Sequence, residues 1–194
     1  MNIILIGPPG AGKGTQAHHL IDEFELLHIS TGDLLRSAIR AGSPLGMAAE
    51  QAVSSGVLVP DDVVIGLVEA SLDQRRKAQG FVLDGFPRTS AQAYALEALL
   101  DRLGEPVDHV FFFEISPDLL LDRITARASQ SARSGDAVRP DDNAGILEKR
   151  IKEFESTTLD LLPFYEKRKL VRRLDASTPV EMVTSQIREM LFLA

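Results

Sequence analysis

A glycine-rich segment between a short apolar run and a region of helical period is the part of this sequence best equipped for chemistry. The segment Gly7–Lys13 follows the apolar run Asn2–Ile6 and precedes Gly14–Ala17, where the helical period begins. Glycines let backbone N–H groups converge on phosphate oxygens, and a helix N-terminus adds a favourable dipole. A lysine at this point supplies a mobile cation for the β and γ phosphates. The spacing therefore predicts a phosphate-binding loop made by Gly10, Ala11, Gly12, Lys13, Gly14 and Thr15.

One position departs from the general pattern of such loops, which carry Ser or Thr directly after the lysine as a magnesium ligand. Here that residue is Gly14, and Thr15 follows one position later. A magnesium ion held with the phosphates should then depend more on water and on an acid elsewhere in the chain. Asp84, at the end of a predicted strand, is the candidate for that acid.

Arginines beside glycines and strand ends form a second set of residues suited to phosphate chemistry. Phosphoryl transfer needs in-line positioning and positive charge spread around the moving group, and little covalent help from the protein. The planar guanidinium can hold two phosphate oxygens and keeps its charge. Arg123 and Arg127 should share a helix face, whereas Arg139 precedes Pro140 and should lie just before a helix. The arginines in such positions are Arg36, Arg88, Arg123, Arg127, Arg139 and Arg150.

Several neighbouring polar residues have simpler interpretations. Arg168 and Arg172 lack such a context and are expected to be solvated. Asp33 is interpreted as a cap of the helix that starts near Thr31. His28 is interpreted as a packed or edge residue, because no nucleophile or paired base accompanies it.

Strand-length apolar runs alternate with longer segments of helical period along the chain. Most of the runs are apolar at consecutive positions, which is typical of strands buried on both faces of a parallel sheet. Segments such as Gly14–Glu25 and Asp61–Arg76 have helical period between them. This alternation predicts an α/β doubly wound fold. The five predicted strands are Asn2–Ile6, Leu26–Ser30, Phe81–Asp84, His109–Glu114 and Leu170–Asp175.

Two segments are expected to be insertions into this scaffold. Thr31–Val59 contains two predicted helices but no predicted strand, and it is interrupted by Ala41–Pro44. Ala128–Ala137 is small, polar and without periodicity, which is typical of a loop.

Composition excludes some classes of site and disfavours others. The 194 residues include no Cys, so a disulfide framework or a thiolate metal site is impossible, and the four His are scattered. A formal net charge of −7 argues against nucleic acid as a partner. The N-terminal apolar run is too short for a signal peptide, and no stretch approaches the ~18 apolar residues of a membrane span. We therefore expect a cytoplasmic protein without a membrane partner, and a monomer because no heptad repeat is present.

Taken in order and at their spacing, these motifs resemble those of the adenylate kinase family over nearly the whole chain. The phosphate loop alone would be compatible with many functions, so the specificity comes from the combination. The matching segments are Gly7–Thr15, Ser30–Arg36, Asp84–Arg88 with Gln92, Asp122-Arg123 with Arg127, and Arg139–Asp142 with Arg150.

The resemblance implies Mg-dependent, reversible transfer of a phosphoryl group between ATP and AMP to give ADP, which maintains adenine nucleotide balance. Arg123 would lie against the ATP adenine, near Thr178, and Asp84 would organise the waters of Mg²⁺. Some relatives carry a lysine near Thr178, so here only the backbone contact is implied. The residues expected around the transferred group are Lys13, Arg88, Arg127, Arg139 and Arg150. Those expected to bind AMP are Thr31, Arg36, Val57, Leu58, Val59, Gly85, Phe86, Pro87, Arg88, Gln92, Arg139 and Arg150.

The resemblance also implies a division of the chain and a P-loop three-layer fold, with a five-stranded parallel sheet flanked by helices. The core would comprise residues 1–29, 60–125 and 137–194, with an AMP-binding domain at 30–59 and a short lid at 126–136. Longer bacterial relatives carry an extended lid, often with a zinc site. Here the lid is short and Cys is absent, so we expect no structural zinc.

Other functions compatible with a phosphate loop are less well matched by the sequence. A UMP/CMP kinase of the same superfamily is the main alternative, but such kinases usually carry Ala where Thr31 stands, and Thr31 with Gln92 favours adenine. A GTPase switch would need an Asn/Thr-Lys-x-Asp motif, which is absent. A non-catalytic regulator would not need the intact arginine set.

Overall fold

The structure, a computed structural model, describes residues 1–73, 78–120, 122–123 and 144–192. Strands and helices alternate as the sequence predicts. The strands are β1 (Asn2–Ile6), β2 (Leu27–Ser30), β3 (Phe81–Asp84), β4 (His109–Glu114) and β5 (Val171–Asp175). The α-helices are α1 (Lys13–Phe24), α2 (Thr31–Arg40), α3 (Pro44–Ser55), α4 (Asp61–Asp73), α5 (Ser90–Leu103), α6 (Ala144–Glu153), α7 (Leu162–Glu166) and α8 (Val180–Phe192). A π-helix (Phe154–Thr158) and a 3-10 turn (Leu159–Leu161) join α6 to α7, and residues 117–120 are also helical.

The five strands form one all-parallel sheet in the order β2-β3-β1-β4-β5, so the fold prediction is confirmed. The register aligns the carboxyl ends of the strands, since Asp84 pairs with Leu5 on one side and with Ser30 on the other. In open α/β sheets ligands bind beyond this edge, where the strand order reverses. The loop after the central strand β1 therefore emerges at the favoured ligand-binding position.

Helices cover both faces of the sheet, because the central strands are apolar on both sides. Ile4 and Ile6 belong to one buried cluster and Ile3 and Leu5 to another, as the alternation of side chains along a strand requires. All four side chains are at most 2 % exposed. This double burial makes β1 a rigid support for the loop that follows it.

The segment between β2 and α4 contains two helices, α2 and α3, and no strand. Ser30 caps α2 by accepting a hydrogen bond from the Asp33 N–H, and Ser43 caps α3 in the same way through Gly46. The helices pack very closely at Gly46, where a Cβ atom would lie 2.1 Å from the carbonyl oxygen of Ala38. The interpretation of Asp33 as the cap was wrong, because the serine before the helix takes that role.

The boundaries differ from the sequence predictions by a residue at some ends. Strands β2 and β5 each begin one residue later than predicted, and α1 spans Lys13–Phe24 in place of Gly14–Glu25. Strand β5 lies at the edge of the sheet and buries only Leu174, and it contains two adjacent arginines in place of a continuous apolar run. Within the described residues, no helix combines the length and apolar character needed to cross a membrane. The predicted lid at 126–136, together with Arg127, Arg139, Asp141 and Asp142, lies outside the described residues.

Candidate active site

The glycine-rich loop connects β1 directly to α1, as the sequence predicts. Gly10 and Gly12 have φ values of 88° and 93°, a left-handed region that favours glycine. Gly7 is required for another reason: a Cβ atom there would lie 2.8 Å from the Cβ of Phe113 on β4. Helix α1 begins after Gly12 without a side-chain cap, so its first-turn N–H groups are turned toward the loop. This is the geometry that binds phosphate.

Lys13 folds back over the loop that precedes it. Its ammonium group donates hydrogen bonds to the carbonyl oxygens of Gly7, at 2.7 Å, and Pro8, at 2.9 Å. These partners place the cation at the mouth of the loop, next to the N-terminus of α1. Thr15 is exposed one residue beyond Gly14, whereas Ala11 is buried and has only its backbone to offer a ligand.

Asp84 lies against the first turn of α1. A Cβ atom at Gly14 would lie 3.4 Å from Asp84 Oδ2, so the glycine leaves the carboxylate directly beside the phosphate loop. Burial by itself raises the pKa of this carboxyl, but the neighbouring His28, Lys13 and Arg88 outweigh it and hold the pKa below its ordinary value. The carboxylate is therefore ionised at neutral pH. An ionised oxygen donor beside a phosphate loop fits Mg²⁺, which prefers oxygen ligands and keeps several of its waters.

A cleft of about 510 Å³ opens beside the phosphate loop and contains a cluster of basic side chains. Lys13, Arg88 and Arg150 all line it. They arrive from three separate parts of the chain: the start of α1, the loop after β3, and α6. Three cations around one cleft suit a polyphosphate, and these three are the described members of the group predicted to surround the transferred phosphoryl.

A second cleft, of about 580 Å³, adjoins the first and shares Gly85, Arg88 and Arg150 with it. Helix α2, the segment after α3 and the loop after β3 form its walls. The structure therefore brings together most of the residues predicted to bind AMP, far apart as they are in sequence. The predicted residues that line this cleft are Thr31, Arg36, Val57, Leu58, Val59, Gly85, Arg88, Gln92 and Arg150.

Two predicted residues in the loop after β3 are placed differently. Phe86 is 1 % exposed and packs in the hydrophobic core, so only its backbone can face a ligand. Pro87 lines the first cleft, next to the phosphate loop. The side chain of Phe86 anchors the loop and leaves recognition to its neighbours.

Gly85 carries the turn that places Thr31 and Arg88 side by side. Its carbonyl oxygen accepts hydrogen bonds from Thr31 Oγ1, at 2.9 Å, and from Arg88 Nε, at 2.7 Å. Its φ is 78°, and a Cβ atom there would lie 3.1 Å from Arg88 Nη2 and 3.2 Å from Thr31 Oγ1. Since the hydroxyl proton of Thr31 is used by Gly85, that oxygen faces the cleft as an acceptor.

Gln92 has a single, well-defined orientation. Its side-chain oxygen accepts a hydrogen bond from the Arg88 N–H at 2.7 Å, and its side-chain nitrogen donates to Asp61 Oδ1 at 2.6 Å. The residue is 1 % exposed. Asp61 was not predicted as a site residue, because its only local signal was that a helix starts after Pro60. The contact between Asp61 and Gln92 on α5 depends on how α4 and α5 pack.

Arg36 extends along the second cleft from helix α2. Its guanidinium pairs with Asp33 Oδ1 at 2.7 Å, one helical turn away. The side chain of Arg36 is 14 % exposed, whereas that of Asp33 is 56 % exposed. Asp33 therefore orients the arginine.

The side of the molecule predicted to hold the ATP adenine is only partly described. Arg123 reaches toward the backbone carbonyl oxygens of Ser177 and Thr178, at 3.5 Å and 3.4 Å. The Thr178 hydroxyl donates to the Asp175 carbonyl oxygen, so that side chain is engaged within its own turn. The two predicted neighbours of the base thus lie together, at the carboxyl end of β5.

Comparison with known proteins gives a consistent result. The sequence model of the adenylate kinase family matches residues 5–170. An adenylate kinase of Xanthomonas oryzae pv. oryzae is 44% identical over 191 residues, which cover 98% of this chain and 99% of that protein. An adenylate kinase of Xanthomonas euvesicatoria pv. vesicatoria is 43% identical over the same shares of both chains. One of Methylobacterium nodulans is 41% identical, over 98% of this chain and 96% of that protein.

Proposed function

The chain belongs to the adenylate kinase family of phosphotransferases, and we propose that it transfers the γ-phosphoryl group of Mg-ATP reversibly to AMP, giving two ADP. The observation that carries this proposal is the pair of adjoining clefts that share Arg88 and Arg150. One cleft begins at the phosphate loop, and the other is lined by Thr31 and Gln92. A donor and an acceptor bound in the two clefts would meet at the shared arginines.

The proposed mechanism depends on positioning and charge. The phosphate of AMP is already anionic, so it can attack without a general base, and the proposed mechanism assigns none. Backbone N–H groups of the phosphate loop and Lys13 hold the β and γ phosphates of ATP. Arg88 and Arg150 stabilise the charge that develops on the moving group, and Arg127 and Arg139 are proposed to join them.

Magnesium, when bound with ATP, neutralises phosphate charge. Asp84 is proposed to hold it through water, and we expect no structural zinc because the chain has no cysteine. Closure of the segments at 30–59 and 126–136 is proposed to exclude water, which would otherwise hydrolyse ATP.

Recognition of adenine is supported by the hydrogen-bonding capacity that faces the second cleft. Thr31 presents an acceptor, because its proton is donated to Gly85. Gln92 has one N–H and one oxygen lone pair left after its bonds to Asp61 and Arg88. Adenine has an amino donor flanked by ring-nitrogen acceptors, which complements a carboxamide. The backbone of Val57–Val59 and the Arg36 guanidinium are proposed to contact the base and the phosphate of AMP.

We further propose that the enzyme acts as a monomer in the cytoplasm. The proposed mechanism assigns every role to residues of this one chain. The substrates, ATP, AMP and ADP, are small nucleotides, and the proposal involves no nucleic acid or membrane.

The proposed acceptor is tested by a coupled assay of ADP formation from Mg-ATP with AMP, UMP, CMP and GMP in parallel. We expect kcat/KM for AMP to exceed that for each other monophosphate by at least about tenfold, since one correct pair of hydrogen bonds gives discrimination of that order. Preference for UMP or CMP would keep the mechanism and overturn the assignment of Thr31 and Gln92. Absence of transfer to all four would contradict the proposed function.

A further inference from the structure

Asp61, the first residue of α4, accepts hydrogen bonds from two side chains at the start of α5: that of Thr89, its N-cap, and that of Gln92 in its first turn. Its Oδ1 accepts from Gln92 Nε2 at 2.6 Å, and its Oδ2 accepts from Thr89 Oγ1 at 3.1 Å. Thr89 is the N-cap of α5 and accepts in turn from the Gln92 N–H. Asp61 is not among the residues that line either cleft.

These contacts determine which way round the Gln92 carboxamide sits. An ionised carboxylate only accepts hydrogen bonds, so the group of Gln92 that faces Asp61 must be the NH₂. The backbone N–H of Arg88 only donates, so the group facing it must be the oxygen. The observed orientation satisfies both partners. A flipped amide would set donor against donor at Arg88 and acceptor against acceptor at Asp61.

The orientation matters because a carboxamide reads different bases when it is turned around. Adenine has an amino donor at C6 and an acceptor at N1, whereas hypoxanthine and guanine have an acceptor at C6 and a donor at N1. The donor and the acceptor are therefore exchanged between the two kinds of base. For a base held in one place, the fixed amide satisfies the first pattern and the flipped amide the second.

We propose that Asp61 is a positioning residue that enforces the choice of adenine over 6-oxopurines by holding the Gln92 carboxamide in its adenine-reading orientation. This inference rests on the proposed function, in which Gln92 reads the base of the acceptor. Asp61 does so without touching the nucleotide. The negative charge at 2.6 Å also polarises the amide, which makes the Gln92 oxygen a stronger acceptor for an amino group.

The test compares AMP with IMP as phosphoryl acceptors in Asp61→Ala, Asp61→Asn and wild-type enzyme. Asp61→Ala removes the charged acceptor and leaves the Arg88 N–H as the only group that still orients the amide, so we expect the ratio of kcat/KM for AMP to that for IMP to fall by about tenfold. The loss should lie mainly in KM for the monophosphate, with KM for ATP unchanged. Asp61→Asn can turn its own carbonyl oxygen toward Gln92 Nε2, so we expect it to keep the ratio within about threefold of wild type.

Asp62→Ala is the matched control, because its carboxylate is exposed one residue further along the same helix. It should leave the ratio unchanged. A purely structural role for Asp61, as a link between α4 and α5, predicts a lower melting temperature for Asp61→Ala with an unchanged ratio, and that result would overturn the inference. Should Asp61→Ala fail to fold, Asp61→Ser, whose hydroxyl is too short to reach Gln92, takes its place with the same expected loss.

The outcomes separate this inference from the proposed function. Wild-type enzyme that transfers no phosphoryl group to AMP contradicts the proposed function itself. Wild-type enzyme that uses AMP, together with an Asp61→Ala variant that discriminates equally well, contradicts only the role of Asp61.

Discussion

Replacing Arg88 with alanine is expected to lower kcat by about 10²–10³-fold, the range measured when a single preorganised donor to a transition state is removed. Arg88 lines both clefts, and its Nε is held by the Gly85 carbonyl oxygen at 2.7 Å, so its position is fixed before the substrates bind. Removing it leaves Arg150 as the only arginine of the described residues that lines both clefts, where the two substrates are proposed to meet.

The control for this measurement is Arg102→Ala. Arg102 lies near the end of α5, the helix that follows the loop containing Arg88. Its side chain is 64 % exposed and pairs with Glu69 on the surface, so its loss should change kcat by less than threefold. Both variants should keep the circular dichroism spectrum of the wild type. A loss below threefold for Arg88→Ala would remove Arg88 from the mechanism.

Replacing Lys13 with methionine is expected to lower kcat by at least about 10²-fold, for a related reason. Methionine keeps most of the length of the side chain but cannot neutralise the β and γ phosphates. The ammonium group now bonds to the carbonyl oxygens of Gly7 and Pro8, and these bonds hold it where the phosphates of ATP are proposed to lie.

Lys152→Met provides the matched control, since Lys152 is exposed on α6 and belongs to neither cleft. Steady-state kinetics and thermal unfolding of both variants separate catalysis from stability. Equal kcat values for Lys13→Met and Lys152→Met would show that the lysine of the loop does not act on the transferred group.

Sequence alone predicts those parts of the site whose functional residues are adjacent in the chain. The phosphate loop is one, because glycines of positive φ, a lysine and a helix start follow one buried strand. The sheet is another, since double-sided burial leaves continuous apolar runs such as Asn2–Ile6. Because β1 and β3 are parallel neighbours, the phosphate loop and Asp84 both lie at the carboxyl edge of the sheet, so their proximity also follows from the predicted sheet.

Contacts between distant segments could not be predicted in this way. Asp61 and Gln92 are separated by 31 residues, and nothing near either one specifies the other. Arg168 was expected to be solvated, and it is exposed, but it also bonds Glu97 through two nitrogens and lies over the ring of Phe164. Such pairings depend on how helices pack, which local pattern does not encode.

The roles of Arg127 and Arg139 remain predictions from the resemblance, because both lie outside the described residues. The roles of Arg36 and Arg150 gain support from their place in the second cleft, where Arg36 is oriented by Asp33. The boundaries of the AMP-binding segment and of the lid also remain predictions.

The most direct test of the proposed reaction supplies ADP and Mg²⁺ alone and follows all nucleotides with inorganic phosphate by chromatography. A reversible transfer between ATP and AMP predicts that ADP is converted into equal amounts of ATP and AMP, with no phosphate released. ADP that stays unchanged, or that yields phosphate without ATP, would contradict the account.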